Sequence, residues 1–126
     1  MAGIPVPGTA VRGSRSGSPI MAMFDLLGRR WAMGVLWTLA ERGPFTFRAL
    51  QDACETISPA VLNARLKELK SAEFVCQGPG GYQVTDLGRE VYQALLPLSR
   101  VSGTWAEQLA RTNNVDRPDP ERQDPE

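Results

Sequence analysis

Histidine is absent from this chain of 126 residues. Imidazole is the most frequent general base and the commonest metal ligand, so its absence removes most familiar catalytic and metal-binding arrangements. Cysteine is nearly absent as well. Cys54 and Cys76 are the only two, too few and too far apart for a zinc finger or a disulfide scaffold. No apolar run approaches the roughly 18 residues that a membrane span needs. Residues 1–17 lack the apolar stretch of a secretory signal. There is no nucleophile-plus-base set, no Gly-rich phosphate loop and no cluster of metal ligands. The chain is therefore not expected to be an enzyme or to carry a cofactor or a metal. Net charge is missing too: 14 basic residues balance 14 acidic ones. Taken as a sum, that balance argues against a nucleic-acid partner.

The charges are not evenly spread. Residues 113–126 read NNVDRPDPERQDPE, with five acids, two bases and three prolines. Such a segment buries too little apolar surface to offset chain entropy, so a disordered acidic tail is expected over 112–126. Residues 1–17 are rich in Gly, Pro and Ser and carry Arg12 and Arg15, which predicts a flexible basic arm. Residues 1–112 hold 12 bases and 9 acids, a net charge of +3. The part able to fold, about 18–111, is thus mildly basic, and an acidic tail is placed to compete for its basic face. The unpaired thiols suit an intracellular compartment, so a cytoplasmic location is expected, on the nucleoid when bound to DNA.

Within 18–111 the pattern is mostly helical. Ser18 and Pro19 start a short amphipathic helix in which Ile20, Phe24 and Leu27 share one stripe. After Gly28, a second helix over 29–42 carries Ala32, Val35, Leu36 and Leu39 on one face and Met33 and Trp37 on another. A helix apolar on two sides is central or is covered by a partner. Thr46 caps a third, short helix, FRALQDAC. The clearest start is Ser58-Pro59, which opens a fourth helix to about Ala72 with Leu62, Leu66 and Leu69 towards the core. Strands at 74–77 and 82–85 flank the turn Gly78-Pro79-Gly80-Gly81 and make a hairpin. Thr85 caps a long last helix with Leu87, Val91, Leu95 and Leu98, kinked at Pro97. Val101, Trp105 and Leu109 continue its apolar side. The fold class is mainly α with a small β-hairpin wing, a winged helix-turn-helix.

A helix that enters the major groove needs an apolar stripe to hold it and a bare opposite face. The fourth helix has both. Ala60 and Ala64 permit close approach, Asn63 suits a base edge, and Lys67 reaches a base or a phosphate. Lys70 flanks that face. Ser58 and Pro59 place the helix N-terminus, with its free N–H groups, where a phosphate can bind. Arg29, Arg30 and Arg48 are candidate phosphate contacts. Arg65 sits at the edge of the core face, suited to DNA or to an acid of its own fold such as Glu68 or Glu41.

The stretches PIMAMFDLLGRRWAMGVLWTL (19–39), GPFTFRALQDACETISPAVLNARLKELKSAEFV (43–75) and GYQVTDLGREVYQALLPL (81–98) resemble the HxlR-type winged-helix transcriptional regulators, relatives of the MarR group. The resemblance implies a bacterial homodimer that regulates transcription by binding double-stranded DNA, with Ser58 to Lys70 in the major groove; the function expected is that of a repressor on a pseudo-palindromic operator, with a recognition helix over about 58–72. The resemblance also implies dimerisation through the first and last helices. Two features depart from the family pattern. Ser18-Pro19 stands where many members have Cys-Pro, which removes that thiol switch. The wing is short and uncharged, so affinity must rest on the helix and the basic arms.

Cys54 and Cys76 are expected as small, half-buried hydrophobes, with redox sensing as the alternative. Met33, Trp37 and Trp105 are expected in the core or the dimer seam, where they could also line a pocket for a small apolar effector. The alternative to a regulator is a winged-helix effector-binding or protein-interaction module whose DNA binding has weakened.

Overall fold

The computed structural model describes residues 3–116. Five helices and one hairpin follow in order: α1 (Pro19–Leu27), α2 (Ala32–Arg42), α3 (Phe47–Ala53), α4 (Pro59–Ser71), β1 (Val75–Gly78), β2 (Gly81–Val84) and α5 (Asp86–Asp116). The strands pair antiparallel, with Val75 opposite Val84 and Gly78 opposite Gly81. Phe45 adds a backbone bridge to Tyr82 on the outer edge of the hairpin. The first compact unit ends at Tyr92, and the rest of α5, from Gln93, belongs to a second.

The side-chain caps form at three of the four expected starts. Thr46 Oγ1 accepts from Ala49 N at 3.1 Å, Ser58 Oγ from Val61 N at 3.2 Å, and Thr85 Oγ1 from Gly88 N at 3.0 Å. Each takes up an N–H that the first helical turn leaves without a backbone partner. Ser18 precedes α1 but makes no such bond. Instead Ser14 Oγ accepts from the backbone of Gly17 and Ser18 at 3.1 and 3.3 Å. The second helix starts three residues later than the sequence suggests, at Ala32, because Trp31 takes a left-handed conformation, φ 75°.

Helix α2 is the centre of the first unit and packs against α1, α3, α4 and β2. Val35, Leu36 and Leu39 of α2, Leu50 of α3, and Leu62, Leu66 and Leu69 of α4 are fully buried. The stripes expected on α2 and α4 are therefore the buried ones. On α1 the outcome differs. Ala22, Leu26 and Leu27 face the core, whereas Ile20 and Phe24 are 53% and 59% exposed. Two apolar faces run along α1, and only the one carrying small Ala22 fits closely against its neighbours.

Two glycines are required by close approach. A Cβ on Gly88 would overlap the carbonyl oxygen of Phe74, and one on Gly81, at φ +116°, would overlap that of Phe45. They let α5 begin against the entry to the wing, and let the hairpin edge meet Phe45.

Residues 3–17, expected as a flexible arm, are folded back by hydrogen bonds in this structure. Gly8 N donates to Gly17 O at 2.9 Å, and Val11 and Ser14 exchange both backbone bonds. Arg12 N donates to Asp25 Oδ2 at 3.1 Å, tying the turn to α1. At the other end of the chain, α5 runs to Asp116, past residue 112 where the tail is expected to begin. The remainder of that tail lies outside the described residues.

Candidate nucleic-acid interface

The face of α4 opposite its leucines is open. Ala60, Asn63, Lys67, Lys70 and Ser71 are exposed, and Ala64 is half-buried between them. The cause is local: Leu62, Leu66 and Leu69 fix the rotation of the helix, and its polar residues then face outward. At its start the Ser58 hydroxyl oxygen accepts from Val61 N, which leaves its O–H free to donate. Pro59 has no N–H, so Ala60 N is the first backbone donor at that end. Arg48 on α3 and Arg30 in the α1–α2 turn are exposed, and among the described residues no ion pair holds either.

Three other expected cations are engaged. Glu68, on α4, lies between two guanidinium groups. Arg29 Nη1 is 3.0 Å from its Oε2 and Arg65 Nη1 is 3.1 Å from its Oε1. The Arg65 contact is an ion pair off the hydrogen-bond direction, and Arg65 Nε has no partner. Arg29 Nη2 also donates to the carbonyl of Gly3 at 3.0 Å. Lys70 Nζ donates to Gln77 Oε1 on β1 at 3.0 Å, joining the end of α4 to the wing. Arg29 thus ties α4 to the α1–α2 connection, and Arg65 pairs with Glu68 along α4 itself. Lys70 remains exposed but is held by the wing.

The wing turn Gly78-Pro79-Gly80-Gly81 carries no charge. The two thiols are half-buried. Burial pushes the Cys54 thiol above its ordinary value, against opposing pulls from a Thr38 hydrogen bond and the Arg42 charge. That shift keeps it protonated at neutral pH, the opposite of what a reactive thiol needs. Cys76 Sγ accepts from Gln83 Nε2 at 3.8 Å across the hairpin.

Trp37 stacks edge-on against Tyr92, ring centres 4.9 Å apart, so it belongs to the packing of α2 with the start of α5. Met33 is exposed. Trp105, in the second unit, is 63% exposed, beside exposed Val101 and Leu109 on its helix. Among the described residues no group of acids or thiols could hold a metal, and no helix is long and apolar enough to cross a membrane. Sequence reasoning missed the bond from Arg29 to Gly3 and the cradle formed by the N-terminal segment. Neither has a local signal.

A helix pair followed by a hairpin, with the second helix bare on its outer face, defines a winged helix-turn-helix protein. The HxlR-like helix-turn-helix family model matches residues 26–110. Quinone-bound YodB from Bacillus subtilis is 31% identical, covering 71% of this chain and 97% of that one, with a TM-score of 0.59. A possible HxlR family transcriptional factor from Thermoplasma volcanium shares the fold at 23% identity, over 71% and 86% of the two chains, with a TM-score of 0.61. A MarR family protein of Mycobacterium tuberculosis does so at 22% identity, over 71% and 67%, with a TM-score of 0.54. No curated protein matches the chain in sequence. The chain belongs to the HxlR-like helix-turn-helix family, and it is a DNA-binding transcriptional regulator.

Proposed function

We propose that the chain is a repressor that acts as a homodimer and lays one α4 per subunit into the major groove of a pseudo-palindromic operator. The observation that carries this reading is the division of α4 into a fully buried leucine stripe and an exposed face bearing Asn63 and Lys67. Asn63 reads a base edge, Lys67 contacts a base or phosphate, and Ala60 and Ala64 let the helix approach. Ser58 O–H, Ala60 N, Arg48 and Arg30 hold the phosphates on either side. Exposed Ile20 and Phe24 on α1, and Val101, Trp105 and Leu109 on α5, are apolar surfaces of the kind subunits bury on pairing. The regulator is proposed to work in the cytoplasm.

Binding to the chain's own promoter region, measured by fluorescence anisotropy against random DNA, tests the reading. Asn63→Ala is expected to relax base preference by roughly 1–3 kcal/mol. Lys67→Ala is expected to weaken all sequences alike and to lower the salt slope by about 1 if its contact is a phosphate. Equal binding of promoter and random DNA by the wild type would remove the sequence-specific reading. The uncharged wing favours a second reading, an effector or protein-interaction module with weakened DNA binding. It predicts no measurable promoter affinity at low salt.

A further inference from the structure

Arg29, in the α1–α2 connection, joins the segment ahead of α1 to helix α4. Its Nη2 donates to the carbonyl of Gly3 at 3.0 Å, and its Nη1 lies 3.0 Å from Glu68 Oε2. A guanidinium is a planar, rigid fork, so the partner on one side fixes the direction offered to the other. Residues 3–17 are held at a second point on α1, where Asp25 Oδ2 accepts from Arg12 N at 3.1 Å. Between these points Ile4 and Val6 lie across an apolar cavity of about 360 Å³, whose wall also includes Ser71 and Ala72 at the end of α4. Side chains that border a void forgo part of their dispersion contacts, so the hydrogen bonds carry a large share of the attachment. The return of the segment to α1 depends on Gly17, which is at φ +68° and would strike the backbone of Thr9 if it carried a Cβ.

We propose that residues 3–17 form a strap that sets the position of α4 for sequence-specific reading of DNA, with Arg29 as the positioning residue that links the two. The proposal rests on the function proposed above, in which α4 reads the groove. The strap bears on α4 at two levels about one turn apart, at Glu68 through Arg29 and at Ser71 and Ala72 across the cavity. Glu68 directly follows Lys67 on the helix, so a shift at one moves the other. Reading a base edge needs a hydrogen bond of correct length and angle, and such bonds weaken steeply when either is wrong. Attraction of a lysine to phosphates acts over roughly 10 Å at ordinary ionic strength and tolerates that shift. Holding α4 in place therefore raises affinity for the operator more than affinity for random DNA. A segment held by few contacts opens locally while the core stays folded. Opening of the strap thus lowers promoter preference without unfolding the protein. A direct role of Arg29 at a phosphate makes the opposite prediction, because there its charge matters and its fork does not.

Two full-length variants test it, each followed by amide hydrogen exchange and by anisotropy on promoter and random DNA. Gly17→Ala breaks the return of the strap. Arg29→Lys keeps the charge but loses the fork. In wild type the amides of Gly8, Val11, Arg12 and Ser14, which donate within the strap or to Asp25, are expected to exchange more slowly than in an unfolded chain. In Gly17→Ala they are expected to lose that protection while the amides of Leu36, Leu62 and Leu69 keep theirs. Fast exchange in wild type, or protection that survives Gly17→Ala, overturns the docked strap. Both variants are expected to lower the ratio of promoter to random affinity about fivefold or more. The double variant is expected to be no worse than the weaker single one, because both act through one link. If neither variant changes the ratio of a wild type that prefers its promoter, the positioning role is overturned. A loss in Gly17→Ala alone keeps the strap and overturns Arg29 as its link. A loss in Arg29→Lys alone overturns the strap. Equal binding of promoter and random DNA by the wild type removes the reading of α4 and the positioning role with it, and slow amides would then show a docked segment that has no part in DNA reading.

Discussion

Glu68 engages two of the cations beside the exposed face of α4. Its carboxylate draws in Arg29 and Arg65, so Arg29, which reads in the sequence as a phosphate contact, serves as a brace, and Arg65, which reads as suited to DNA or to an acid of its own fold, meets such an acid. Glu68→Gln removes the charge that holds them while keeping the shape. Because the three groups are partly exposed, the stability cost is expected to be small, about 1 kcal/mol or less by thermal or urea denaturation. On the proposed DNA-binding mode the two released cations should tighten binding to random DNA at low salt and steepen its salt slope by about 1 to 2. An unchanged slope would show that neither arginine reaches the duplex. Cys54 poses the opposite case, a group silenced by its surroundings. Burial raises its thiol above the ordinary value, so the thiolate fraction at neutral pH falls. Alkylation of Cys54 by iodoacetamide, followed against pH, is expected to be slower than for a free thiol and to rise to its plateau at higher pH. As pH climbs through the ordinary thiol range, the unfolded chain loses this proton before the folded one, so Cys54 should make folding less favourable there. Fast alkylation at neutral pH would restore Cys54 as a redox sensor.

At the level of elements, the starts of α3, α4 and α5 were legible because capping is local. A hydroxyl three residues ahead of its N–H partner is a pattern within one turn. The leucine stripe of α4 was legible for the same reason, since residues three and four apart share a face. Leu66→Ala, at a fully buried site, is expected to cost about 2–5 kcal/mol, whereas Ser58→Ala should cost about 1 kcal/mol through the lost cap. Chemical denaturation of both variants checks the ratio, and equal losses would mean that the stripe does not anchor α4. The delayed start of α2 was not legible. The left-handed turn at Trp31 comes from how the α1–α2 connection must bend, which no stripe of apolar residues encodes. Nor did the pattern on α1 show which of two apolar faces turns inward.

At the scale of the whole molecule, the zero net charge has a different meaning from the one it first suggests. It is the sum of a net +3 over residues 1–112 and a net −3 over residues 113–126, where two bases stand against five acids. Large apolar side chains remain uncovered on α1 and, separately, on the C-terminal part of α5. On the proposed homodimer they are covered by a second copy. Trp105→Arg is expected to shift sedimentation equilibrium towards monomer and to weaken promoter binding by more than tenfold, since paired half-sites multiply affinity. A variant that stays as associated as wild type would place the subunit contact elsewhere.

The sequence by itself determined the order of the helices, the caps of α3, α4 and α5, the hairpin, the buried stripes of α2 and α4, and which face of α4 is left exposed. All of these depend on residues within one or two turns, or one tight turn, of each other. Only the tertiary structure decided that Arg29 and Arg65 meet Glu68, that Lys70 meets Gln77, and that residues 3–17 fold back to wall a cavity. Arg29 and Glu68, and residues 3–17 and their neighbours, are brought together by packing across long chain separations, and Lys70 meets Gln77 only because the chain turns back after α4. Even Arg65, one turn from Glu68, had its alternatives closed only when the fold set the surroundings of that carboxylate.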